Sequence, residues 1–185
     1  MATGLTIEVR VDAAQQALAR IGAGLNPDVL LRLIGQRHLA WIDENFRRGG
    51  AESPWVPLRP NTLAGRRTGR GPGGPQPLRD TGRLAQSFVA AGVRLDTAAG
   101  TVAVGSPDPR AQWHHAGTGP YDILPRQAKV LRFLTTEGPV FRRRVSHPGL
   151  HARPLLPSDG LARSLAMGVL DAYVATLVAD AERGR

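Results

Sequence analysis

The chain opens on an alternation: Ile7, Val9 and Val11 are apolar, while Glu8 and Arg10 between them are charged. A period of two puts the three apolar side chains on one face and predicts a short, half-buried strand. Asp12 then stands as cap to a short helix over residues 13–21, broken by Gly22 and Gly24. From Asn26-Pro27 the period lengthens. Leu30, Leu33, Ile34, Trp41 and Phe46 recur near helical spacing, with Arg32, Arg37 and Arg47 between them. Asn as N-cap and Pro at the first helical position mark the start, and Gly49-Gly50 the stop. Such a helix is about 30 Å long and forms one wall of a domain.

Past Gly50 the apolar pattern lapses. Residues 51–79 are rich in Gly and Pro and carry Arg59, Arg66, Arg67, Arg70 and Arg79. The stretch 65–77 has too little apolar surface to offset its ordering entropy and reads as a flexible loop or arm. Asp80-Thr81-Gly82 starts a short helix over 83–87, with Asp80 and Thr81 as caps. Residues 88–95 and 101–105 read as strands joined near Ala98-Ala99-Gly100, with Val102 and Val104 on one face. A helical turn at 110–116 and strands at 130–135 and 139–145 follow. A last helix runs from Ser158 or Asp159 to about Glu182, striped by Leu161, Leu165, Leu170, Val174, Leu177 and Val178. The expectation is a single domain, 1–185, of α+β class. An antiparallel sheet of about four to five strands packs against the long helix near the N-terminus and the C-terminal helix, beside a long Gly/Pro/Arg loop.

Composition sharpens this picture. Hydrophobic residues make up 42% of the chain but aromatics only 5%, so the core rests on Leu, Val, Ala and Ile. With no cysteine, disulfides, thiolate metal sites and a Cys nucleophile are excluded. The formal charge is +9, nearly all of it arginine, since Lys129 is the single lysine. Such a balance attracts phosphate, carboxylate or acidic protein surfaces. No apolar stretch reaches the roughly 18 residues of a membrane span, and no basic segment followed by an apolar run opens the chain. A cytoplasmic protein, or a particle assembled in a cytoplasm, is expected, with no membrane partner.

Candidate chemistry is sparse. His114, His115, His147 and His151 fall late, but adjacent histidines on a strand diverge, and Pro148-Gly149 places a turn between the other two. No carboxylate at zincin spacing completes a set, so neither metal nor cofactor is expected. A metal-dependent hydrolase using these histidines is a distant reading. Ser87 and Ser106 are candidate nucleophiles by type only, because Gly105-Ser106-Pro107 is not a nucleophile elbow. The run from Gly69 to Gly74 lacks the Gly-Lys-Ser/Thr of a phosphate loop. No catalytic residue is assigned. Nucleic-acid binding is the main alternative, through Arg66, Arg67, Arg70 and Arg142-Arg143-Arg144 on phosphates. Against it, no aromatics interleave with these arginines, and no helix-turn-helix or zinc-finger spacing appears. Trp41 and Trp113 read as core or interface anchors. Trp55, between prolines, reads as a partner contact or as packing beneath its loop.

Several separated segments together resemble the tail-completion and neck proteins of long-tailed bacteriophages, the virion morphogenesis family. They are Trp55-Val56-Pro57-Leu58 with Thr62, Asp80-Thr81-Gly82-Arg83-Leu84 with Ser87, Val102-Ala103-Val104-Gly105-Ser106, and the segment from Ala111 to Gly117. The densest stretch starts at Ile123-Leu124-Pro125-Arg126-Gln127-Ala128-Lys129-Val130-Leu131-Arg132-Phe133. It continues through Val145-Ser146-His147-Pro148-Gly149 and Ala152-Arg153-Pro154-Leu155-Leu156. The insertion at 65–77, and Leu155 where the family commonly has an aromatic, depart from the pattern. The resemblance implies a non-enzymatic ring subunit, often a hexamer, sited between portal and tail tube of a virion or phage-like particle. Its partners would be other copies of itself, neighbouring connector and tail-tube proteins, and, non-specifically, DNA passing through the lumen. Trp55, Arg66, Arg67, Arg70, Arg126, Lys129 and Arg132 are the candidate interface residues on this reading.

Overall fold

The Asn26-Pro27 signal works as its chemistry dictates. A computed structural model describes residues 4–10, 25–64, 66, 75–135 and 137–182, and in it helix α1 runs Pro27–Arg48. Asn26 Oδ1 accepts from the N–H groups of Asp28 and Val29 at 3.0 and 3.3 Å. At the other end Gly49 turns left-handed, with φ 70°, and its N–H donates to the Asn45 carbonyl. This is the conformation a glycine adopts without a Cβ penalty.

The chain's period-two segments pair as a three-stranded antiparallel sheet of β1 (Leu5–Arg10), β2 (Val93–Asp96) and β3 (Thr101–Ser106), in the order β1-β3-β2. Central β3 buries Val102 and Val104. α1 lies on this sheet, with Leu30, Leu31 and Ile34 clustered against Val102. Gly35 permits the approach, because a Cβ there would stand 2.3 Å from Val93 Cγ1. Helix α5 (Asp159–Glu182) adds Ala166 and Leu170 to the same cluster. A second cluster continues the core toward the C-terminal end of α1. There Trp41, Ile42 and Phe46 meet Trp55, Leu155 and, from helix α3 (Arg83–Ala91), Leu84 and Phe88.

The remaining elements are short. They are helices α2 (Pro60–Ala64) and α4 (Pro109–Ala116) and two antiparallel ribbons. One pairs β4 (Tyr121–Ile123) with β7 (Val145–His147), the other β5 (Leu131–Thr135) with β6 (Gly138–Arg142).

The class is α+β, as expected, but several details differ. Among the described residues the strands form one sheet of three and two ribbons of two, not one sheet of four to five. Pro139 deprives β6 of a ladder donor, and Arg143-Arg144 interrupts the run expected over 139–145. Residues 88–91 continue α3 instead of opening a strand, since Phe88 docks on Phe46 from the helix and Gly92, φ 65°, ends it. Neither Asp80 nor Thr81 caps α3; its N-cap is Gly82, with no side-chain cap bond. The loop expected over 51–79 is built in part: Trp55 and Pro77 are buried, and α2 lies within it. The helix expected at 13–21 lies outside the described residues. The stretch Asp159–Ala179 of α5, mean hydropathy 1.4, is long and apolar enough to cross a membrane, contrary to the expectation from sequence. Ala162, Leu165, Ala166 and Leu170 are buried in the two core clusters or beside them, while 22% of that window in all is buried.

Candidate functional site

Three distant stretches of chain are fastened at the C-terminal end of α1. Buried Asn45 accepts from the Ala51 N–H through Oδ1 at 2.7 Å and donates from Nδ2 to the Pro154 carbonyl at 2.9 Å. Trp55 Nε1 donates to the same carbonyl at 3.2 Å, and its ring meets Phe46 edge-on at 5.5 Å. The segment after Pro154 is tied to α4 as well, because the Leu155 N–H donates to His115 Nδ1 at 3.0 Å. The Arg153 N–H donates to the His114 carbonyl at 2.7 Å. A bridge pairs Thr118 with Leu150 across the turn at Pro148-Gly149. In that turn the Gly149 N–H donates to His147 Nδ1 at 3.0 Å, and His147 stacks on Tyr121.

Between these straps opens a cleft of about 1010 Å³. One wall is Val56 to Arg59 with Thr62 and Arg66, the opposite wall the start of α3 with Asp80 and Arg83. His114, half-buried, and Arg153, buried, lie deeper, Arg110 is exposed, and the 147–151 turn adds the rest of the lining. Among the described residues this lining holds five arginines and one aspartate. Arg110 is taken by Asp108, whose carboxyl that hydrogen bond holds below its ordinary range. Arg153 is only 8% exposed; its Nη2 donates to the Val56 carbonyl at 3.0 Å, while its Nε has no partner. His114 Nδ1 and Asp80 Oδ1 are also buried without partners.

Burial pushes the His114 imidazole below its ordinary value of 6.5, and the charges of Arg153 and Arg110 push further; burial alone lowers His115. The unfolded chain therefore holds these protons more tightly than the native one. The stability that the neutral imidazoles contribute is complete above the unfolded value and is lost as pH falls through the lowered native values. Thermal unfolding followed by circular dichroism should show Tm dropping as pH is taken from about 7 to about 5, with a shallower drop in His114→Gln. A Tm flat across that window would contradict the assignment.

The residues singled out in the sequence are scattered. Arg66 lines the cleft, and its Nη1 donates to the Gln76 carbonyl at 2.7 Å. Arg67 and Arg70 lie outside the described residues. Arg126, Lys129 and Arg132 are exposed on the segment leading into β5 and on β5 itself. Trp55, 5% exposed, is a core residue and presents no contact surface, whereas Trp113 is 54% exposed. Ser87 and Ser106 bond each other at 2.6 Å, and neither bonds a histidine. Among the described residues no group of three or more His, Asp or Glu is placed to hold a metal. Sequence reasoning missed Arg59, Arg83, Arg110 and His114 as one site, and gave Arg153 no role. The legible signal was Arg153 itself, a lone charge followed by Pro154-Leu155-Leu156. No protein-family model, curated protein or solved structure matches the chain.

Proposed function

We propose that this chain is a non-enzymatic structural subunit of the head-tail junction of a tailed-phage-type particle, a neck or tail-completion protein that assembles as a ring. The observation that carries this reading is spatial. Five of the segments that resemble that family, spread from Trp55 to Leu156, meet around one cleft: Val56-Pro57-Leu58, Asp80 to Leu84, His114, His147 to Gly149, and Arg153. These segments send Trp55, Leu84, Ala111 and Leu155 into the core, and their remaining residues line an open surface of the kind a subunit contact uses.

A second feature points the same way. The β5–β6 ribbon keeps Phe141 53% exposed and packs outside itself chiefly on short α2. A lone two-stranded ribbon is marginal in water, and its open edges accept a neighbour's strand. In a ring, an open edge of this ribbon is where a neighbouring subunit's strand pairs. Ring contacts of this kind are head-to-tail and close by rotation. Arg126, Lys129 and Arg132, on and beside the ribbon, are the proposed subunit or partner contacts.

Size-exclusion chromatography with light scattering tests the reading over a concentration series. The expected species is a closed oligomer near six times the 19.8 kDa chain mass. A monomer at every concentration, binding duplex DNA with a steep salt dependence, would replace it with the nucleic-acid reading that the +9 charge supports.

A further inference from the structure

Arg153 sits in an unusual electrical position. Its guanidinium is nearly buried, its Nε–H donates to nothing, and no carboxylate pairs with it among the described residues. Burying an unpaired charge is expensive, and proteins pair such groups. The surrounding lining makes the deficit larger. Arg59 and Arg83 stand exposed in the lining, and His114, also in it, has a second buried nitrogen without a partner. Among the described residues Asp80 is the one carboxylate in the lining, and it is not ion-paired with any of the arginines there. Residues 65–74, adjoining in sequence, contain three arginines and no acid, so their composition offers no counter-ion.

We propose that the cleft takes an acidic segment of a partner protein, one carboxylate seated on Arg153 and the neighbouring acids held by Arg59 and Arg83. Charge complementarity selects an anion, and the rest of the lining selects its carrier. Val56, Leu58, Leu84 and Leu150 share the lining with the arginines, a mixture that suits a peptide with apolar residues between its acids. Among the described residues the lining holds no Trp, Tyr or Phe on which bases would stack. The deepest cation is within reach of a carboxylate on a flexible side chain, whereas duplex phosphates ride on a wide, stiff cylinder. Arginine is also the side chain whose planar fork matches a carboxylate.

Fluorescence anisotropy on the full chain, with a labelled oligoglutamate as probe, tests this. Wild type should bind, and Arg153→Met, which keeps the apolar stem, should weaken binding by about tenfold or more. Arg83→Gln should weaken it several-fold, while Arg163→Gln, exposed on α5 and outside the lining, leaves it unchanged. The comparison of Arg83→Gln with Arg163→Gln decides the matter if Arg153→Met does not fold. Equal losses at Arg83 and Arg163 would mean general attraction to a basic surface and overturn the site. So would the absence of oligoglutamate binding, or duplex DNA binding with the same dependence on Arg83 and Arg153. The inference stands on the cleft and not on the ring: a monomer that binds the probe in this pattern retains it while the assembly reading fails.

Discussion

Trp55→Ala should lower the unfolding free energy by about 3–5 kcal/mol, the range for truncating a large buried aromatic. The ring is all but enclosed and meets Phe46 edge-on, and it belongs to the same core cluster as Phe88 and Leu155. Removing it leaves a cavity at the one place where α1, the 51–58 wall and the 152–156 strap are joined. Trp55→Phe separates the two contributions. It keeps most of the buried ring and loses only the Nε1–H bond to the Pro154 carbonyl, which Asn45 Nδ2 also serves. A net loss of about 1 kcal/mol from that bond, plus a smaller term for lost volume, is expected. Urea denaturation of both variants checks this. If Trp55→Ala shifted the midpoint no more than a surface substitution does, the residue would belong outside the core, as an exposed partner contact.

The position of Trp55 illustrates where the sequence ran out. Its neighbours Pro54, Val56 and Pro57 are poor in apolar period, so nothing local says the indole turns inward. What turns it is Phe46 and the carbonyl of Pro154, both remote in sequence. By contrast α1, β3 and α5 were legible because their signals are local: the Asn26-Pro27 cap, the paired Val102 and Val104, and the long Leu stripe. The run Phe88-Val89-Ala90-Ala91 fits a helix or a strand equally well by pattern, and docking on Phe46 decided for the helix. The division into ribbons was illegible for the same reason, since strand pairing is non-local and β4 and β7 are only three residues each. The cleft was beyond reach as a constellation. Arg59, Arg83, Arg110 and Arg153 come from four unrelated segments, each with an unremarkable local pattern. The resemblance singled out some of the right segments without saying that they face one another.

Gly149→Ala should cost about 3–5 kcal/mol from backbone strain and overlap together. Gly149 has φ 94°, a conformation that L side chains rarely adopt, and an added Cβ would stand 2.2 Å from the Thr118 carbonyl oxygen and 2.7 Å from that of Gly119. Both obstacles are backbone, so no rotamer change relieves them. The turn must shift instead, and Thr118 and Leu150 would then lose their paired bonds of 3.0 and 3.2 Å. Because His147, Leu150 and His151 line the cleft from this turn, the shift reaches the candidate site as well as the fold. The variant should therefore unfold at lower temperature and, where still folded, bind oligoglutamate more weakly than wild type, although no charge has been removed. Pro148→Ala serves as control: that residue is exposed in the same turn, and its replacement adds no Cβ and should change stability by less than about 1 kcal/mol. A Gly149→Ala protein as stable as wild type would show that the Thr118–Leu150 bridge yields freely, and the far wall of the cleft would then not be fixed by that turn.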